Sequence, residues 1–247
     1  MLSEVLAVRS NEMLLPDIGR LTVEAAAPAR PGQFYMLRPE HGAMLLGRAI
    51  SLCDRQGEIL TFLYKIVGKG TAELSRLREG DPLRLTGPLG NGFPLEDISG
   101  KIALIGGGVG VAPMVYTARA LRERGNTADA FLGYPDSPYL HETMKTLCDK
   151  VTVATESGVC GAKGYVTDIF DPEKYAAVLC CGPLAMMRAV AEKCKAAGTP
   201  VWLSLENRMA CGVGACLVCT CKGKSGGNLR VCADGPVFRG EEISLDA

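Results

Sequence analysis

The hydrophobic period of the chain changes near residue 100, and that change decides what it can fold into. Up to about Leu95, short β segments alternate with turns: "EVLAVRSN", "RLTVEAA", "GQFYMLRP", "RAISLCDRQGEILTFLYKIVG" and "DPLRLTGPLG". Regular short strands of this kind predict a small antiparallel barrel. From Lys101 an apolar strand, "KIALIGGG", runs into glycines, and "APMVYTARALRERG" then takes helical spacing closed by Gly125. "ADAFLGYP", "KVTVATES" and "YAAVLCCGP" continue as strands, "HETMKTLCDK" and "LAMMRAVAEKCKAAG" as helices, and "PVWLSLENR" as one last strand. This alternation predicts a doubly wound parallel α/β sheet. With the joint in "EDISGK", residues 96–101, the expected units are 1–98, 99–204 and 205–247.

The stretch after the last strand is rich in glycine and poor in apolar residues, so something other than a core of its own must organise it. "CGVGACLVCTC", residues 211–221, sets four cysteines in eleven positions, and Cys232 follows a short polar loop. Cys211, Cys216, Cys219 and Cys232 have the spacing C-x4-C-x2-C-x12-C, the plant-ferredoxin pattern of [2Fe–2S] ligation. Two bridged irons need four thiolates, three of them from one tight loop, and Gly212 and Gly214 let backbone N–H groups approach the sulfurs. A structural zinc site is the competing reading, although such sites usually carry two short cysteine pairs and only Cys216 and Cys219 have that gap. Cys221 points with Cys219 on a strand-like backbone, as a spare thiol or a replacement ligand, and is assigned no ligand role.

Charge and leader signals narrow the partners. Lys plus Arg and Asp plus Glu each number 27, giving zero formal net charge, and no dense basic run favours nucleic acid or an anionic membrane. "MLSEVLAVRSNEM" carries Glu4 and lacks a basic flank before an apolar stretch, so the expectation is a cytoplasmic chain, neither secreted nor membrane-spanning. Eleven cysteines in that setting are metal ligands or redox groups rather than a disulfide framework.

Two glycine turns mark a nucleotide site. After "KIALI" come Gly106, Gly107, Gly108, Val109, Gly110, Val111, Ala112 and Pro113, a turn that exposes backbone amides and a helix start to a pyrophosphate. It is not the full G-x-G-x-x-G fingerprint, and a plain strand-to-helix turn has comparable weight. Cys181, Gly182 and Pro183 sit at a second strand end, on the edge where doubly wound sheets bind ligands; a small buried thiol is the alternative there. Asp136 has the chemistry to accept from ribose hydroxyls, and no Arg follows to meet a 2′-phosphate, which favours NAD over its phosphorylated form; a solvated turn Asp looks the same.

In the barrel region "RAIS", residues 48–51, offers a cation for phosphate and a hydroxyl at one end of a strand. The order "PGQF", "RAIS", "LYK", "GKGT", "GGGVGVAP", "CGP" and the cysteine loop resembles the ferredoxin–NADP reductase superfamily over nearly the whole chain. Within it, "CGVGACLVCTC" followed by "CADGPVF" resembles the electron-transfer subunits of NAD-dependent, class 1B dihydroorotate dehydrogenases. The resemblance implies FAD on the barrel, with Arg48 on its pyrophosphate, Ser51 near flavin N5, Ala49 and Ile50 between them, and Leu63, Tyr64, Lys65, Gly70 and Thr71 completing the site. It also implies Cys181 beside the nicotinamide. The superfamily usually has an aromatic residue where Ile50 stands, and the dihydroorotate branch often has proline at the Ala49 position, so the chain departs at both.

A hydride delivers two electrons and an iron–sulfur cluster accepts one, so a chain with both sites needs a carrier able to do either, and flavin is that carrier. FAD is therefore expected to exchange a hydride with NAD and single electrons with the cluster, with no side chain acting as acid or base. The barrel and nucleotide unit use about 200 residues, and a (β/α)8 barrel alone takes about 250, so no room remains for an organic-substrate domain. The resemblance implies the missing half: a separate FMN-containing subunit that oxidises dihydroorotate in pyrimidine synthesis, in a heterotetramer. The reductase subunit of another flavin and iron–sulfur assembly, such as a sulfite reductase, hydrogenase or transhydrogenase-like complex, is one alternative. A zinc-stabilised or redox-sensing binding module is another.

Overall fold

The computed structural model describes residues 2–245. Six strands, β1 (Leu2–Leu15), β2 (Ile18–Glu24), β3 (Phe34–Pro39), β4 (Arg48–Gln56), β5 (Ile59–Lys65) and β6 (Pro82–Leu89), close into an antiparallel barrel in the order β1-β2-β5-β4-β3-β6. Every second residue of β6 is buried, and Leu83 and Leu85 meet Leu21, Leu37, Leu52, Leu60 and Phe62 in the barrel core. Between β5 and β6 a short helix, α1 (Lys69–Leu74), drops Leu74 into the same core. At six residues α1 is too short to show a helical period in sequence.

The second unit runs β7 (Lys101–Gly107), α2 (Ala112–Glu123), β8 (Thr127–Tyr134), α3 (His141–Leu147), β9 (Lys150–Thr155), β10 (Ala162–Lys163), α4 (Val166–Ile169), β11 (Ala177–Cys181), α5 (Leu184–Ala197) and β12 (Val201–Ser204). These strands pair in parallel, and the chain moves from β7 outward to β8, β9 and β10 before returning to β11 on the other side of β7. The crevice beyond the carboxyl ends of β7 and β11 is therefore the topological switch point, the place where such sheets bind ligands.

The tail contributes a hairpin, β13 (Thr220–Lys222) and β14 (Asn228–Arg230), and a final strand, β15 (Val237–Arg239). β15 corrects the expectation that "PVWLSLENR" is the last strand: it pairs antiparallel with β12, placing Leu203 opposite Phe238 and adding a seventh strand to the nucleotide sheet. Three residues carry no periodic signal, so only the register offered by β12 makes "VFR" a strand.

Barrel and sheet are joined by a partly buried ion pair. Arg119 of α2 donates to both carboxylate oxygens of Asp54 on β4, at 2.8 and 2.7 Å, and Tyr116 Oη donates to Ala29 O at 2.9 Å. Arg119→Ala strands a buried carboxylate, and its expected cost in a urea titration is about 3 kcal/mol of unfolding free energy. Among the described residues no helix is long and apolar enough to cross a membrane.

Candidate functional site

The cysteine loop is built by the β13–β14 hairpin. Cys219 stands one residue before β13 and Cys232 two residues after β14, so pairing of Thr220 with Arg230 brings the two thiols together. Cys232 N–H donates to Cys219 Sγ at 3.4 Å, Gly214 N–H to Cys232 Sγ at 3.1 Å, and Val213 N–H to Cys211 Sγ at 3.4 Å. Donation to sulfur favours the thiolate: the Val213 amide, helped by those of Cys216 and Ala215, pulls Cys211 down to about 6 against a smaller effect of burial. Burial pushes Cys232 up to about 12, so its thiolate calls for a bound cation.

Cys216 lies within hydrogen-bonding reach of Cys211, and Cys219 within reach of Cys232. Among the described residues no three Cys, His, Asp or Glu side chains gather around a single-ion position. Two thiol pairs are the distribution that two bridged irons require, whereas one tetrahedral zinc needs all four on one centre. The donor set therefore fits a [2Fe–2S] cluster. Arg230 braces the segment behind it, donating to both carboxylate oxygens of Asp234 at 3.0 and 2.8 Å.

On the barrel, Arg48 Nη1 donates to Leu46 O at 3.0 Å and Gly47 O at 3.4 Å, which fixes its guanidinium over Gly70. A Cβ at Gly70 would overlap Arg48 Nε, so only glycine lets the cation sit against the start of α1. Thr71 Oγ1 accepts from Val67 N–H at 2.9 Å and Gly68 N–H at 3.3 Å, closing the loop beneath. A fixed guanidinium beside a tight loop fits a pyrophosphate. Ala49, Ile50 and Ser51 follow half-buried along β4. Leu63 and Tyr64 turn their side chains into the cores, Tyr64 Oη donating to Asn11 Oδ1 at 2.9 Å, and pair with Arg20 and Gly19 of β2. Lys65 is exposed and pairs with Asp17 at 3.5 Å.

A cleft of about 1590 Å³ occupies the switch point, lined by Gly107, Gly108, Gly110, Gly182 and Pro183, by Asp17 and Lys65 of the barrel, and by Lys222 of the tail. The two glycine turns interlock, since a Cβ at Gly110 would stand 2.5 Å from Cys181 O and 2.7 Å from Gly182 Cα. Gly110→Ala forces these backbones apart, and its expected effect is a roughly tenfold loss of NAD+ affinity in a titration of the oxidised chain, with iron and flavin content unchanged. Gly106 and Cys181 are buried behind the turns and do not line the cleft, and Arg48, Ala49, Ile50, Ser51, Gly70 and Thr71 lie outside it. Asp136 stands exposed on the cleft wall, with Glu156 also lining it. Sequence reasoning missed Tyr139 and Glu206 in this cleft. Glu206 was within reach of the same edge rule that selected Cys181, because it follows the adjacent parallel strand β12.

Residues 206–244 match the iron-sulfur cluster binding domain of dihydroorotate dehydrogenase B. Over 239 residues the chain is 47% identical to the electron transfer subunit of dihydroorotate dehydrogenase B (NAD(+)) from Clostridium acetobutylicum, covering 97% of this chain and 96% of that protein. The structure of an NADH-dependent reduced ferredoxin-NADP oxidoreductase superposes with a TM-score of 0.86 at 31% identity, covering 98% of this chain and 90% of the other. A ferredoxin NADP+ reductase from Neisseria gonorrhoeae, with bound FAD and NADP, shares the fold at a TM-score of 0.67 and 15% identity, covering 79% of this chain and 92% of that one. Barrel, nucleotide sheet and cysteine tail are all spanned by the match to the Clostridium acetobutylicum subunit, and the chain belongs to the family of dihydroorotate dehydrogenase B (NAD(+)) electron transfer subunits.

Proposed function

We propose that this oxidoreductase subunit carries electrons from a dihydroorotate-oxidising partner to NAD+ in pyrimidine synthesis. What carries this reading is where the cysteine loop packs. A Cβ at Gly212 would stand 2.9 Å from Met36 Cγ, and Met36 is the register partner of Ala49 on β4. Cys219, Cys232 and Met36 share one core, with Ala49 packed against it. The cluster loop thus abuts the strand beside "RAIS", while Lys65 of the same barrel lines the nucleotide cleft.

A [2Fe–2S] cluster on Cys211, Cys216, Cys219 and Cys232 supplies one-electron relay, and FAD held by Arg48, Ala49, Ile50, Ser51, Leu63, Tyr64, Lys65, Gly70 and Thr71 supplies conversion between single electrons and a hydride. Arg48 offsets pyrophosphate charge, and the turns at Gly106–Gly110 and Cys181–Pro183 offer NAD backbone amides without side chains in the way. The expected units divide the labour as flavin on 1–98, nucleotide on 99–204 and cluster on 205–247, with Asp17 and Lys65 of the first and Lys222 of the third also lining the nucleotide cleft. No side chain needs to act as acid or base.

Around the cluster loop, Val213, Leu217 and Val218 are 49, 60 and 52% exposed, and Cys216 is exposed among them. Apolar side chains grouped about a cluster ligand suit the docking face for the partner, an FMN-containing subunit in an assembly with two copies of each chain. The two subunits together are expected to form NADH from dihydroorotate and NAD+, and neither alone. NADH formation by the FMN subunit without this chain contradicts the reading.

A further inference from the structure

The hairpin that positions the cluster thiols is also a wall of the nucleotide cleft. Cys221 and Lys222 of β13 and Val231, the residue before Cys232, line that cleft, as do Asn207, Ser244 and Leu245 on the segments that hold the hairpin. Asn207 Nδ2 donates to Thr220 O at 3.1 Å, Ser244 N–H to Lys222 O at 2.9 Å, and Arg188 Nε of α5 to Leu245 O at 3.1 Å. Val231 N–H donates to Cys219 O at 3.0 Å, so a cleft-lining residue is bonded directly to a cluster cysteine. With three residues in each strand the hairpin has little core of its own, and thiolate bonds to a cluster are what fix it.

The charges of the cleft give that wall a role. A dinucleotide brings two phosphate charges into a space lined, among the described residues, by four carboxylates, Asp17, Asp136, Glu156 and Glu206, and by two cations, Lys65 and Lys222. Lys65 is committed to Asp17 at 3.5 Å. Lys222 is exposed, and its ammonium has no ion-pair or hydrogen-bond partner among the described residues. Its backbone is tied through Ser244 to the segment that Arg188 holds, one turn into the helix that starts after Gly182 and Pro183. The glycine turns offer amide dipoles and no net charge, so Lys222 is the uncommitted cation that the described cleft presents to an anion.

We propose that Lys222 meets the pyrophosphate of the dinucleotide, and that the cluster hairpin is thereby part of the nucleotide site. Lys224, two residues on, is already spent on Gly240 O at 2.8 Å and does not line the cleft. The two sites are therefore coupled. Ligation of the cluster holds Lys222 at the cleft, and a bound dinucleotide holds the hairpin closed over the cluster thiols; such a coupling has the same size in both directions.

The inference rests on the nucleotide reading of the cleft, and the measurements separate the two. NAD+ dissociation constants are measured by calorimetry on the oxidised, flavin- and iron-loaded chain, at low and high salt, for the wild type, Lys222→Gln, Lys222→Arg and Lys224→Gln. Lys222→Gln is expected to weaken NAD+ roughly fivefold at low salt and less at high salt, with iron and flavin content unchanged. Lys222→Arg keeps the charge and Lys224→Gln removes one outside the cleft, so both should stay within about twofold of the wild type. Loss of cluster absorbance to a chelator should slow by the same roughly fivefold factor when NAD+ saturates the wild type, and should not slow in Lys222→Gln. Unchanged affinity in Lys222→Gln, equal weakening in Lys224→Gln, or a wild-type cluster loss indifferent to NAD+ overturns the proposal while leaving the nucleotide site standing. Failure of the wild type to bind NAD+ overturns both.

Discussion

Cys219→Ser is expected to empty the tail of iron while leaving the flavin in place. Cys219 is 1% exposed, packs with Val231, Cys232 and Met36, and its sulfur accepts the Cys232 amide. A serine hydroxyl does not ionise at neutral pH and is a harder ligand than thiolate, so one of four bonds to a cluster is lost where no water can replace it. The tail has little else to hold it, since β13 and β14 bear three residues each and lie in a glycine-rich stretch. Iron and sulfide should fall from about two each per chain to near zero, and the hairpin should become sensitive to protease. Arg48 is held by Leu46 O, Gly47 O and the seat at Gly70, so flavin content should hold. Cys221→Ser is the comparison: Cys221 lines the nucleotide cleft, and that variant should keep its iron. Full iron content in Cys219→Ser contradicts the ligand assignment.

Arg48→Ala is expected to weaken FAD binding by roughly 50-fold, the worth of a charge-assisted contact to phosphate lost without replacement. The guanidinium is held by Leu46 O and Gly47 O and seated on Gly70, so its entropy is already spent before ligand arrives. Arg48→Lys should recover only part of the loss, because an ammonium cannot keep both carbonyl contacts and a forked contact to phosphate. Gly70→Val tests the same seat from below: its side chain displaces the cation without removing it, and the flavin should be lost as in Arg48→Ala. Flavin retained in both Arg48→Ala and Gly70→Val places the pyrophosphate elsewhere.

The barrel was legible because β2 and β6 alternate and because turn residues separate them. The nucleotide sheet was legible because apolar strands such as β7 run directly into glycines and amphipathic helices. α1, α4 and β15 were not, because segments of three to six residues carry too few periods and take their structure from what they pack against. The cysteine loop was legible as a candidate cluster site, since its spacing within residues 211–232 is itself the chemistry. The nucleotide cleft was read only in part. Gly107, Gly110 and Gly182 announced themselves as turns and Glu206 was open to the same strand-end rule, whereas Tyr139 reaches the cleft from the loop after β8, which no local pattern encodes. Gly70 was named by resemblance, and the reason for it, the guanidinium above, lies 22 positions earlier at Arg48 and emerges only once the barrel closes.

The proposed function joins a hydride site to a one-electron site through a flavin in one chain. Its most direct test is the iron, sulfide, zinc and flavin content of protein purified without oxygen, with the visible spectrum recorded before and after NADH. About two irons, about two sulfides and about one FAD per chain, with both flavin and cluster absorbance bleached by NADH, is the expected result. Zinc in the cysteine loop with no flavin on the barrel, or a spectrum that NADH leaves unchanged, would contradict it.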